Sequence, residues 1–403
     1  GIRDRCLSRE LGDVYKRQTI TLICFLLISH LSFTEYRDKN YQARLQDVMK
    51  ARKLMDKKRE RDKINNLAQE LAQEMIIIDT HLDTPIQLYM QQSKNGFYED
   101  ITKTSSLHFD FDRAVSGGLN VPFFVIFTPP SAEEKGTAFE MAKDLIQILE
   151  DIMNKHPSKF RLVKSPEEIT NEKGVMQVVY GMENGAPIES KLSNIKVFSD
   201  MGINYITLAH SKSNHISDSS YDSNKNWGGL SPFGRKVVAE MNKQGVMIDI
   251  SHVSDAAFYE VLKLTKTPVI ASHSSLRHFV PGFERNVSDD MLRELAKNEG
   301  VIQICFGSEF IAEKKKYPNL IVTVKDVADH IDRVKELVGI DHVGIGSDYD
   351  GWRNFPVGLE DTSTYPNLIK ELLNRNYTKE EIEKIFGGNL LRVWREVKKF
   401  SES

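Results

Sequence analysis

Eight short apolar runs, each followed by a loop or a helix-like segment, constrain this chain more than any other feature. The first four are "MIIID" (75–79), "LNVPFFVIF" (119–127), "VMQVVYGM" (175–182) and "INYITLA" (203–209). The rest are "VMIDIS" (246–251), "PVIAS" (268–272), "VIQICF" (301–306) and "HVGIGS" (342–347). Between them lie helical patterns at 138–156, 231–245, 254–264, 288–300 and 323–339, several opened by Ser or Thr and closed by Gly. Strands alternating with helices predict a parallel sheet, and eight is the number that closes a (β/α)8, TIM-type barrel. A doubly wound open sheet competes with that reading. It usually carries a Gly-rich phosphate loop after its first strand, and "DTHLDTP" is not one. The segment "YTKEEIEKIFGGNLLRVWREVKKF" predicts a terminal helix pair, with Thr378 and Glu381 spaced as a capping box.

Residues 75–403 are assigned to this barrel, and the 403-residue length accommodates it as one domain with an extension. A composition of 40% hydrophobic and 28% charged residues is that of an ordinary soluble enzyme. The net charge is −3 and no basic stripe stands out in the folded portion, so nucleic acid is not the expected partner. Residues 35–74 are dense in Lys, Arg, Glu and Gln, with Leu45, Val48, Ile64, Leu67 and Leu71 at helical spacings, and predict a charged helical extension. Residues 19–34, "TITLICFLLISHLSFT", follow Lys16 and Arg17 in the layout of a secretory signal peptide. The expectation is an exported protein, periplasmic or associated with the membrane through residues 19–34, which act as a signal or a retained anchor. Residues 1–18 begin without Met, fit no part of such a signal, and read as a non-native leader. Of three cysteines, Cys6 and Cys24 fall in this N-terminal segment and there is no CxxC pair, so without that segment Cys305 has no disulfide partner.

In a barrel of this kind, chemistry sits where strands end. Here the strand ends carry a coherent polar set: His81 and Asp83, then Glu183, His210, His252, His273 and Asp348. Each residue alone has an ordinary reading. Asp83 before Thr-Pro would cap a turn, His252 in "DISHVSD" would cap the following helix, and His210 would be a hydrogen-bonded core histidine. His273 in "ASHSS" and Glu183 in "GMENG" would sit in plain turns, and Asp348 in "GIGSDYDG" lacks the spaced oxygens of a calcium loop. For those readings to hold they must be true independently at six strand ends.

Imidazoles with carboxylates and no thiolates suit zinc or a similar divalent ion in a catalytic rather than a structural site. Five ligands, His81, Asp83, Glu183, His252 and His273, exceed the need of one open zinc. They suit two zinc ions sharing Glu183, which lies between the two pairs in chain order. Two such metals would hold a hydroxide between them and polarise a carbonyl, while Asp348 relays the proton.

The motifs "IDTHLDTP", "GMENG", "GGLSPFGRKVVAEMNKQGVMIDISHVSD", "VIASHSSLRHF", "RNVSDDML", "VGIGSDYDG" and "GGNLLRV" occur between about residues 75 and 395. In this order they resemble the membrane dipeptidases (renal dipeptidase family, peptidase family M19). The resemblance implies a zinc-dependent dipeptidase with dipeptide substrates, including those with a C-terminal D-residue. It implies that His81, Asp83 and Glu183 bind one zinc and Glu183, His252 and His273 the other. His210 would contact the substrate carbonyl, Arg285 in "ERNVSDD" would hold the C-terminal carboxylate, and Asp348 would shuttle the proton. The Arg285 role has a physical rationale of its own, because guanidinium pairs bidentately with carboxylate. Its plain alternative is a surface ion pair with Asp289 or Asp290.

Mammalian members carry a Tyr near the end of the seventh strand, where this chain reads "CFGSEF" (305–310) with Gly307 at that position. Their inter-chain disulfide has no counterpart here, which leaves side-chain preference and pairing as a homodimer open. Two other functions compete. An amidohydrolase-type barrel acting on cyclic amides or lactones typically reads His-x-His after strand one with a carboxylated lysine as bridge, whereas this chain reads His-Leu-Asp and offers Glu183. An inactive barrel kept as a binding protein would have no need of the complete ligand set. The Ser/Asn-rich loop 211–229 after strand four is expected to shape the substrate pocket.

Overall fold

A computed structural model describes residues 39–403, so the leader at 1–18 and the predicted export signal at 19–34 lie outside the described residues. Among the described residues nine strands form: β1 (Ile77–Leu82), β2 (Leu119–Phe127), β3 (Phe160–Leu162), β4 (Met176–Glu183), β5 (Ile203–Thr207), β6 (Met247–Asp249), β7 (Ile270–Ser274), β8 (Val301–Ile304) and β9 (Val343–Ile345). Eight of them run parallel in the order β1-β2-β4-β5-β6-β7-β8-β9, and the short β3, absent from the eight predicted runs, pairs with β4 outside this path. The sheet comes round on itself through a parallel bridge from Leu82 to Tyr349, with Asp348 N–H donating to the His81 carbonyl at 3.0 Å and Asp83 N–H to that of Tyr349 at 2.9 Å. It is a nearly closed (β/α)8 barrel.

Alternate strand residues go to different layers, as the two-residue period of a strand requires. Ile77, Phe124 and Val178 join the large core between strands and helices. Ile78, Phe123, Val179, Tyr205, Met247, Ile270 and Val301 fill the barrel interior, where Leu390, Val393, Trp394 and Val397 of the final helix pack against them. That helix therefore plugs the end where the strands begin, and the end where they finish stays free for the site. Four predicted helix starts acquire side-chain caps: Ser231, Ser254, Ser288 and Thr323 each accept a hydrogen bond from a backbone N–H in the first turn that follows. Thr378 and Glu381 form the reciprocal capping box.

The predicted terminal pair forms as Lys379–Glu383 and Asn389–Ser401, joined by a wide turn at Lys384–Gly388 that kinks at Gly387. Lys39–Glu74 is a single helix, and its end, through Ala68, Leu71 and Ala72, is buried in the barrel core. No helix among the described residues is long and apolar enough to cross a membrane.

Candidate metal centre

β1 continues three residues beyond the predicted run, so His81 stands on extended backbone and Asp83 one residue past the strand. Asp83 takes the N-cap position of the helix Thr84–Asn95 yet makes no capping bond. Its carboxylate turns instead toward His81, with Oδ2 3.4 Å from Nε2. Glu183 is the last residue of β4, and His273 lies within β7. His210, His252 and Asp348 each follow their strand by three residues. His252 and Asp348 hold φ values of 69° and 67°, a left-handed backbone that costs an L-residue energy and turns the side chain back over the barrel mouth.

One oxygen organises the cluster. Glu183 Oε1 lies 3.1 Å from His252 Nε2, 3.2 Å from His273 Nε2, 3.6 Å from His81 Nε2 and 3.7 Å from His210 Nε2. The rings crowd together, with the His81 and His273 centroids 3.5 Å apart. Three groups of donor atoms fall within 4.8 Å of one another: His81, Glu183 and His273; Glu183, His210 and His252; His81, Asp83 and Asp348. The seven residues predicted at the strand ends are thus brought to one place.

So many titratable groups in so little water perturb one another strongly. Burial pushes the Glu183 carboxyl well above its ordinary range, with His81 opposing. Burial disfavours charge on His81 as well, but the Glu183 and Asp83 carboxylates overcome it and hold this ring at about 9. His252 and His273 go the other way, driven well below the usual imidazole value by burial and then by neighbouring cations. His210 falls to about 3 for the same reasons. Asp348 is lifted to about 7 by burial, and His81 limits the rise.

Arg285 is 3% exposed, so the surface reading is excluded. Asp289 pairs with Arg333, and Asp290 accepts from the Tyr259 hydroxyl. The Arg285 guanidinium donates to Ser274 Oγ at 2.7 Å and to the His273 carbonyl at 2.6 Å, while its Nε–H has no partner. Above the cluster opens a cleft of about 420 Å³, with Ile86, Met90, Phe127, Tyr221, Phe310 and Trp352 on its walls. Tyr221 and Ser211 come from the loop after β5. At Gly307 a Cβ would lie 2.7 Å from the Phe310 ring and 3.1 Å from Trp352, so these two aromatic side chains occupy the space a larger residue would need.

Sequence reasoning missed the residues behind the cluster. His81 Nδ1 meets the Tyr205 hydroxyl at 3.0 Å and His273 Nδ1 meets Ser272 Oγ at 2.8 Å. Two buried aspartates, Asp79 and Asp249, accept backbone N–H groups across the thinnest seams, from Ser347 on the β9 side and from Ser272 in β7. The repeated patterns "IDTH" and "IDISH" were the available signal for these aspartates. Nothing in the spacing marks Tyr205.

A (β/α)8 barrel whose C-terminal mouth gathers imidazoles and carboxylates of this kind has the donor set of a metal-dependent enzyme. The model of the membrane dipeptidases, peptidase family M19, matches residues 65–403, and the chain belongs to this family of metallo-dipeptidases. It is 35% identical over 341 residues to dipeptidase 3 of Homo sapiens, covering 83% of this chain and 68% of that one. It is 32% identical over 357 residues to an uncharacterized dipeptidase of Schizosaccharomyces pombe, covering 85% of each. The crystal structure of a probable dipeptidase from Pseudomonas aeruginosa shares the fold with a TM-score of 0.76 at 24% identity, covering 84% of this chain and 99% of that one.

Proposed function

We propose that this chain hydrolyses the peptide bond of dipeptides, including those ending in a D-residue, with two zinc ions, outside the cytoplasm. The observation that carries the reading is the convergence of four imidazole Nε2 atoms on Glu183 Oε1 within 3.7 Å. The donor set fits the metal: His81 Nε2 and Asp83 Oδ1 are buried without a hydrogen-bond partner, which is costly unless something else satisfies them. His81, Asp83 and Glu183 would hold one ion and Glu183, His252 and His273 the other. Bound there, zinc supplies Lewis acidity toward a carbonyl oxygen and a water of lowered pKa.

The chain's own groups do the rest. Asp348, buried at the cleft beside His81 and Asp83, takes a proton as water adds to the peptide carbonyl and returns it to the departing amine. His210, neutral through its burial, faces the cleft and donates to the carbonyl oxygen as charge develops there. Arg285 keeps its Nε–H and part of both terminal nitrogens uncommitted for a substrate carboxylate. That clamp ties cleavage to a free C-terminus one residue from the scissile bond. A cleft of about 420 Å³ with apolar walls suits a dipeptide rather than a longer chain.

The test is a substrate panel of dipeptides with L- or D-residues at the C-terminus, a tripeptide, a cyclic amide and a lactone. Cleavage of the dipeptides alone is expected. Preferential cleavage of the cyclic amide or lactone would place the chain with other amidohydrolase chemistry.

A further inference from the structure

The nitrogens aimed at the proposed metals are Nε2 atoms, and a ring offers a lone pair there only if its single proton sits on Nδ1. For His273 the surrounding hydrogen bonds decide the matter. Ser272 Oγ lies 2.8 Å from His273 Nδ1 and 2.6 Å from Asp249 Oδ2. A carboxylate oxygen only accepts, so the one Ser272 hydroxyl proton must lie toward Asp249. Ser272 then has only lone pairs for His273, and Nδ1 must be the protonated nitrogen. Asp249 is itself fixed, accepting from Ser251 N–H at 3.0 Å, from Ser272 N–H at 2.8 Å and from the Thr207 hydroxyl.

A phenol repeats the arrangement on β1. Tyr205 donates its proton to the Thr80 carbonyl at 3.0 Å, and its oxygen faces His81 Nδ1 at 3.0 Å. Gly181 on the neighbouring strand makes room for this ring, because a Cβ there would lie 2.1 Å from Tyr205 Cζ. His210 and His252 have no such partner at Nδ1.

We propose that Ser272 and Tyr205 are tautomer-setting positioning residues for His273 and His81, with Asp249 the acceptor that commits the Ser272 proton. The metal-binding consequence and the His81 assignment rest on the two-zinc reading; the His273 tautomer itself does not.

Side-chain nitrogen NMR of metal-free protein at about pH 8, where ordinary imidazoles are neutral, reads the tautomer of His273, and chelator competition reads zinc affinity. Wild type is expected to carry the His273 proton on Nδ1. Ser272→Ala should move it to Nε2 and weaken zinc about 10- to 100-fold, the usual cost of losing such a partner. Tyr205→Phe should weaken zinc by a similar factor, and Ser272→Thr should keep both the tautomer and the affinity. Asp249→Asn is the near-isosteric check. Its amide nitrogen donates to Ser272, which frees the hydroxyl proton for His273 Nδ1, so the same tautomer shift is expected.

A wild-type His273 protonated on Nε2 overturns the proposal. So does a Ser272→Ala protein that loses thermal stability while tautomer and zinc affinity stay unchanged. Wild type that binds no zinc while showing the expected tautomer overturns the two-zinc reading instead.

Discussion

At the scale of single residues, the site works by contrast between groups of like kind. Asp348 and Glu183 are both buried carboxyls lifted by desolvation and both line the cleft, but four imidazoles crowd Glu183, whereas Asp348 meets the Cys305 thiol at 3.6 Å. Asp348→Asn keeps the shape and removes the proposed proton acceptor. The expected result is a kcat about 10²- to 10⁴-fold lower with zinc content unchanged, measured by steady-state kinetics and metal analysis; undiminished kcat would remove Asp348 from proton transfer. Arg285→Ala should lower kcat/KM for a dipeptide by at least about tenfold, consistent with a charge-assisted hydrogen bond, and should barely change any residual cleavage of the C-terminal amide. Equal losses on both substrates would show that the arginine acts on the fold rather than on the carboxylate.

His330 lies outside the site and gives a test of the protein's acid response. It accepts the Leu276 N–H at Nδ1 and faces the Ile311 carbonyl at Nε2, 3.1 and 3.0 Å away, so it must be neutral. Burial drives it down to about 4 from an ordinary 6.5. A depressed histidine releases its proton on folding, so its stabilisation is complete above pH 6.5 and is lost as pH falls toward 4. The loss should approach about 3 kcal/mol, read as a slope in denaturant stability across that window. His330→Gln, which can still accept and donate, should flatten the slope; an unchanged slope would assign acid sensitivity to other groups.

At the scale of elements, the barrel is legible where strands are apolar and helices capped, and less so where strands are short. β6 and β9 have three residues each, and β6 meets β7 at one register pair. There the backbone ladder is replaced by aspartate side chains, a substitution invisible to hydrophobic periodicity. The seven strand-end residues were legible because each follows an apolar run. Tyr205 was not, because as the middle residue of β5 it reads as plain strand interior. Its role emerges only when β5 is set against His81. The added strand β3 was missed for a similar reason, since one buried residue, Phe160, and two partly buried ones carry too little apolar signal.

The final helix makes the clearest element-scale prediction. Trp394 is fully buried against the interior residues and meets Phe123 edge-on at 5.7 Å. Trp394→Ala should cost about 3–5 kcal/mol in chemical denaturation while leaving kcat per folded molecule near wild type. A large fall in kcat without a fall in stability would mean that the plug communicates with the mouth.

At the scale of the molecule, one end of the barrel is closed by packing and the other gathers buried charge that packing cannot satisfy. Folding without metal leaves His81 Nε2 and Asp83 Oδ1 unpaired, so zinc bound to the native state should raise its stability by linkage. The central claim is that two zinc ions per chain support dipeptide cleavage, and the most direct measurement is a titration of zinc into chelator-stripped protein, with activity and bound metal followed together. Activity should start near zero and reach its plateau as the second equivalent binds. Full activity in stripped protein, or a plateau reached with one zinc bound, would contradict the account.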